Sequence, residues 1–164
     1  HFERKGLTHV LHALAQLKDN KIVLWVVGGE EKTLTDWKKL VSSLDLKKSV
    51  IFWGMQQDIR PFLWGADSFI LPSEYETFSL ATFEAAAAGL PLIVTNFYGW
   101  QDHMVDGVTG YIIDRSLNGI LDGLRKFQKL SDDERHRMGQ NACATVNKYD
   151  STRFIESWRK LYVD

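Results

Sequence analysis

The stretch "DSFILPSEYETFSLATFEAAAAGLPLIVTN" (residues 67–96) decides the fold. Its ends are short apolar runs, FIL and LIVT, and its middle has the composition of a helix. Pro72 stops the first run as a strand, because proline has no N–H to give to a ladder. The spacing predicts a helix from about residue 78 to 88. Gly89 caps that helix and Pro91 prevents its continuation. A strand, a helix and a strand in such short succession require a parallel pair joined by a helical crossover.

The same alternation extends in both directions. "KIVLWVVGG" (21–29) and "SVIFWG" (49–54) are continuous apolar runs closed by glycine, and "TGYIID" (109–114) is a further strand. Such runs are predicted to be buried on both faces, which puts Trp25 and Trp53 in the core. Helices are predicted over 8–17, 34–44, 58–65, 99–107, 116–130, 131–149 and 151–163. "SDDE" (131–134) is a capping box with an acid-rich first turn. The expected fold is α/β, one doubly wound, Rossmann-like parallel sheet. Ligands in such sheets sit at the carboxyl ends of the strands. Gly28, Gly29, Gly54, the loops 73–78 and 96–99, and the Arg4-Lys5-Gly6 turn should share that edge.

Bulk properties exclude several classes. With 20 basic and 21 acidic residues, the net charge of −1 gives no reason to expect nucleic acid as a partner. A single cysteine, Cys143, cannot form an internal disulfide, so a reducing, cytoplasmic location is expected. No apolar run approaches the roughly 18 residues of a membrane span. The chain opens on a loop and a helix, "HFERKGLTHVLHALAQL", with no strand before them. The expectation is one domain, 1–164, from a longer polypeptide, with the helix 151–163 packing on a domain outside this sequence.

The chemistry centres on two acids, Glu76 and Glu84, with seven residues between them. Along a helix this offset is roughly 12 Å. Glycosidase acid pairs stand about 5–9.5 Å apart, and helix residues sharing a metal are three or four apart. The offset instead suits a long ligand held at two places. Between the acids lies a helix start, which attracts anions. The order acceptor, anion site, acceptor matches the sugar, diphosphate and ribose of a nucleotide-sugar. A solvated pair of glutamates is the plainer alternative. Against it, "AAAAG" after Glu84 lets the helix lie close to the sheet, and a charge beside a tightly packed face needs a partner.

"SEYETFSLATFEAAAAGLPLIVT" (73–95) resembles the retaining glycosyltransferases of family 4, with their E-x7-E signature in the form "PS..E.FGL...EAMA.G.PV..T". "RKGL" (4–7), "VVGG" (26–29), "VIFWG" (50–54), "GADSFILPS" (65–73) and "TNFYGWQDHMVDGVTGYII" (95–113) follow the family order. The Arg-Lys-Gly turn is similar to that of lipopolysaccharide-core glucosyltransferases. The resemblance implies the C-terminal, donor-binding half of a two-domain GT-B enzyme. That half would transfer a sugar from a UDP- or GDP-linked donor with retention, in cell-surface polysaccharide or lipopolysaccharide synthesis. It implies that Glu76 contacts the donor sugar and Lys5 neutralises the diphosphate, the two catalytic roles. Glu84 would accept from the ribose hydroxyls. Phe78, Ser79 and Leu80 would offer backbone N–H groups to the diphosphate, and Gly54 and Met55 would lie at the base. No metal is expected, since Lys5 and the helix start can offset phosphate charge. The full protein would sit in the cytoplasm, at the inner face of the membrane, with membrane contact belonging mainly to its other domain.

Departures from the pattern are specific. Thr77 and Ser79 replace two glycines, and Trp100 and Asp102 stand where the family has glycine and glutamate. The family's upstream arginine falls before residue 1, and Arg4 is its only nearby substitute, although adjacent side chains rarely point the same way. Trp100 is the one tryptophan expected at a ligand. His9 and His12 are expected to hold no metal, and Asp102 and His103 to be a surface pair rather than an acid–base dyad. Lys38, Lys39, Lys47 and Lys48 are expected to be a solvated face. The rival reading is a non-catalytic nucleotide- or carbohydrate-binding module of the same fold. A receiver domain is disfavoured, because the third strand ends in Pro72-Ser73 with no aspartate to phosphorylate.

Overall fold

The computed structural model describes all residues except 20, 102, 150 and 164, and in the last turns omits the side chains of 148, 151, 153, 154, 157, 161 and 163. Five strands alternate with helices: α1 (Leu7–Leu17), β1 (Leu24–Val27), α2 (Glu31–Ser43), β2 (Val50–Gly54), α3 (Arg60–Trp64), β3 (Phe69–Leu71), α4 (Leu80–Ala87), β4 (Leu92–Thr95), β5 (Gly110–Ile113), α5 (Leu117–Gln128), α6 (Asp132–Val146) and α7 (Ser151–Val163). All pairings are parallel, which bears out the α/β fold class.

The sheet is in two pieces rather than one. β1 pairs with β2, and separately β3, β4 and β5 pair in that order. No ladder joins β1 to β3 among the described residues, so each presents an unpaired edge. The pieces are held through side chains instead. Leu7, Val10, Leu11 and Leu14 of α1 form one core with Val26 of β1, Ile93 of β4, Ile113 of β5 and Ile120 and Leu124 of α5. A second core joins Phe83, Ala85 and Ala86 of α4 to Leu92 and Val94 of β4 and Ala142 of α6.

Only β4 is buried along its whole length. β1 and β2 alternate, and Trp25 and Trp53 are 37% and 42% exposed, not core as the run of apolar residues predicts. The reason is coverage. The face that carries both indoles meets five-residue α3, whose Phe62 approaches Trp53 and Trp25 edge-on at 5.2 and 6.2 Å and leaves them partly open. The predicted helix over 99–107 is a series of turns, with Asp102 outside the described residues. The capping box is present, with the Ser131 hydroxyl accepting from Glu134 N–H and the Glu134 carboxylate accepting from Ser131 N–H. The Ser131 contacts hold the Glu134 carboxyl below its ordinary value. In α7, Ile155 and Trp158 are 48% and 46% exposed, while Phe154 and Leu161 lie outside the described side chains. No described helix is long and apolar enough to cross a membrane.

Candidate functional site

The strands' carboxyl ends bring together the turn before α1 and the loop after β3. Gly6 makes this possible. Its φ is +82°, and a Cβ there would stand 2.3 Å from the Pro72 carbonyl oxygen. Only glycine accepts both the left-handed backbone and that approach. Beside it, Glu74 N–H donates to the Arg4 carbonyl at 2.9 Å, tying the two loops directly.

Glu76 is the centre of this junction. It is 7% exposed, and its Oε1 accepts from Lys5 Nζ at 3.1 Å and from Ser73 Oγ at 3.0 Å. Arg4 Nη1 stands 3.6 Å from the same oxygen and also donates to the Tyr75 carbonyl. A buried carboxylate is costly without such partners. Two cations against one acid leave the cluster one positive charge in excess. The expectation that Arg4 and Lys5 point apart is therefore corrected: the left-handed turn at Gly6 wraps both over Glu76.

The helix after this cluster starts later than expected. α4 begins at Leu80, with Phe78 and Ser79 in the loop, and Ser79 takes the left-handed conformation (φ 48°) suited to the glycine it replaces. A non-glycine residue there costs roughly 1–2 kcal/mol. Its buried hydroxyl is 2.7 Å from Thr82 Oγ1 rather than capping the helix. The N–H groups of Phe78, Ser79 and Leu80 have no acceptor among the described residues. The Phe78 ring, 46% exposed, stacks on Phe83 at 4.4 Å. Glu84 lies on the solvent side of α4, while Ala85 and Ala86 meet the core at 0% exposure. The alanines pack as expected, but Glu84 is not pressed against that packed face. Gly28 N–H donates to the Gly54 carbonyl at 2.6 Å, and Met55 beyond it is 70% exposed.

Trp100 is not at a ligand surface. It is 1% exposed and meets Phe83 edge-on at 4.6 Å, as part of the second core with Phe97 and Met104. His103 is buried rather than at the surface, with Nε2 2.8 Å from the Tyr149 hydroxyl. Among the described residues no group of three His, Cys, Asp or Glu is placed to hold a metal ion. Beyond β5, Arg115 was not anticipated from sequence. Its guanidinium reaches the Glu3 carbonyl at 2.9 Å and stands 3.6 Å from the Glu74 carboxylate. Being the second residue past a strand end is the signal that could have found it.

Residues 1–145 match the family described as Glycosyl transferases group 1. The chain belongs to the group 1 glycosyl transferases. Among its relatives, the N-acetyl-alpha-D-glucosaminyl L-malate synthase of Bacillus anthracis is 31% identical over 98% of this chain and 42% of its own length. The lipopolysaccharide core biosynthesis glycosyltransferase LpsE of Rhizobium meliloti is 36% identical over 68% of this chain and 32% of its own. This group 1 chain thus spans less than half the length of these relatives. Of solved structures, Anabaena HepE in complex with UDP and glucose superposes with a TM-score of 0.84, covering 99% of this chain and 46% of that one at 20% identity. WaaG, a glycosyltransferase involved in lipopolysaccharide biosynthesis, gives 0.78 over 91% of this chain and 41% of its own, at 25% identity. These likenesses bear out the expected GT-B fold family, with this chain matching one part of each molecule.

Proposed function

We propose that this chain is the donor-binding half of a retaining glycosyltransferase of family 4 that moves a hexose from a nucleoside-diphosphate sugar. The observation that carries the reading is the convergence of Lys5 and Arg4 on buried Glu76, beside the exposed start of α4. Departure of a nucleoside diphosphate builds negative charge on its phosphate oxygens. Lys5, released from Glu76 toward the diphosphate, and the open N–H groups at 78–80 offset that charge more in the transition state than before it. Glu76, freed in the same exchange, accepts from hydroxyls of the donor sugar. Glu84, exposed along the same helix, accepts from the ribose. Gly54 and Met55 border the base. HepE is seen in complex with UDP and glucose, one relative is a UDP-Gal galactosyltransferase and another acts in lipopolysaccharide core biosynthesis, which supports UDP as the carrier and that class of product.

Calorimetry with UDP tests the reading. A hydrogen bond to a charged group contributes about 1.5–3 kcal/mol, so Glu84→Gln should weaken UDP roughly ten- to hundredfold. Unchanged affinity in a folded variant removes Glu84 from the site. The cations should make binding independent of metal. Loss of UDP affinity in excess chelator, restored by magnesium or manganese, would contradict this.

A further inference from the structure

A hollow of about 390 Å³ opens at the carboxyl ends of β3, β4 and β5, beside the Glu76 cluster but distinct from it. Ser73, Glu74, Asn96, Ile112, Asp114 and Arg115 line it. Ser73 is the shared wall, since its hydroxyl donates to Glu76 Oε1 at 3.0 Å. The Thr95 hydroxyl fixes that wall by donating to the Ser73 carbonyl at 2.7 Å.

The lining has spare hydrogen-bonding capacity. The Asn96 amide and the Asp114 carboxylate belong to exposed residues, open to a ligand in the hollow. Arg115 Nη2 donates to the Glu3 carbonyl and Nη1 stands 3.6 Å from the Glu74 carboxylate, and each of these nitrogens carries a second N–H. One guanidinium against the Glu74 and Asp114 carboxylates leaves one negative charge in excess, which balances the positive excess of the adjoining Glu76 cluster and suits a neutral ligand. An amide, a carboxylate and a guanidinium lining one hollow suit neighbouring hydroxyls, which both donate and accept. Ile112, 37% exposed, offers an apolar surface for ring C–H groups. The volume is at the small end of ligand sites, enough for one sugar ring and some water.

We infer that this hollow is an acceptor subsite: it seats a neutral hexopyranoside on Asn96, Asp114 and Arg115, with one hydroxyl turned past Ser73 toward Glu76. This rests on the donor-binding reading and adds to it a contribution to the acceptor from this half of the molecule.

The test is an amide NMR titration of this chain with methyl α-D-glucopyranoside, first alone and then with saturating UDP, and separately with UDP-glucose. The glycoside should shift Asn96, Asp114 and Arg115, with a Kd on the order of 10 mM. Asn96→Ala and Asp114→Asn should each weaken it roughly three- to tenfold, the effect of losing one hydrogen bond. Their UDP affinity should stay within about twofold, which also verifies that they fold. Two results overturn the inference: no shift of these residues by about 100 mM glycoside, far above the expected Kd, or shifts produced by UDP-glucose and not by the glycoside, which make the hollow a donor site. A chain that takes the glycoside but not UDP keeps the subsite and loses the donor reading. A chain that takes UDP but not the glycoside does the reverse.

Discussion

Gly6 carries the arrangement of the site at the scale of one residue. Its positive φ and its contact with the Pro72 carbonyl deliver Lys5 and Arg4 to Glu76. Gly6→Ala should cost about 1–2 kcal/mol from the backbone alone, with more from a Cβ placed 2.3 Å from that oxygen. The melting temperature should fall by several degrees and UDP binding should weaken, because the turn must open. A variant with unchanged melting and unchanged UDP affinity would show that the turn does not set the position of Lys5. This cluster was half legible in the sequence. The motif named Lys5 and Glu76, but only the path of the chain through Gly6 brings Arg4 to the same oxygen. Trp100 was misread for a related reason. A tryptophan in a polar loop suggests stacking on a ligand, whereas Phe83, seventeen positions earlier in the chain, supplies the ring that buries it.

Among the elements, α4 depends on small side chains. Ala85 and Ala86 are fully buried between the sheet and α6. Ala86→Leu should destabilise by about 1–3 kcal/mol through overpacking, read as a lower denaturant midpoint. An unchanged midpoint would mean that α6 can yield. The start of α6 has a pH-dependent cap. Because the Glu134 pKa is lowered on folding, its contribution is present above the unfolded glutamate value, about 4.3, and is lost as pH falls through the folded value. Ser131→Ala should lower the melting temperature by about 2–4 °C at pH 7, the effect of losing an N-cap of about 1 kcal/mol. The gap to the parent protein should narrow near pH 3, below the ordinary glutamate value. An equal gap at both pH values would assign the cap to the Ser131 hydroxyl alone. The capping box was legible because its signal is local. The exposure of β1 and β2 was not, since an apolar run does not reveal which neighbour covers its second face.

For the whole molecule, the relevant fact is that the chain spans less than half of its relatives. Sugar transfer requires donor and acceptor held about 3–3.5 Å apart, and that positioning supplies several kcal/mol of the barrier. The 164-residue chain should therefore bind UDP and transfer no sugar, whereas a polypeptide with both walls of the cleft should turn over. Comparable turnover by the two, assayed with matched donor and acceptor, would end the two-domain reading. The fold class was legible from the alternation of strands and helices. The division of the sheet was not, because pairing between distant strands leaves no local mark.

That division has a consequence for behaviour in solution. The outer edges of β1 and β3 carry rows of N–H and C=O groups with no ladder partner among the described residues. Open edges recruit strands from other molecules. The isolated chain should self-associate as its concentration rises, and a short strand-forming peptide added in excess should suppress this by occupying the edges first. Light scattering reads the association, and amide exchange at Leu24–Val27 and Phe69–Leu71 locates it. A chain that stays monomeric, with those amides already protected, would mean that its edges are closed by its own atoms.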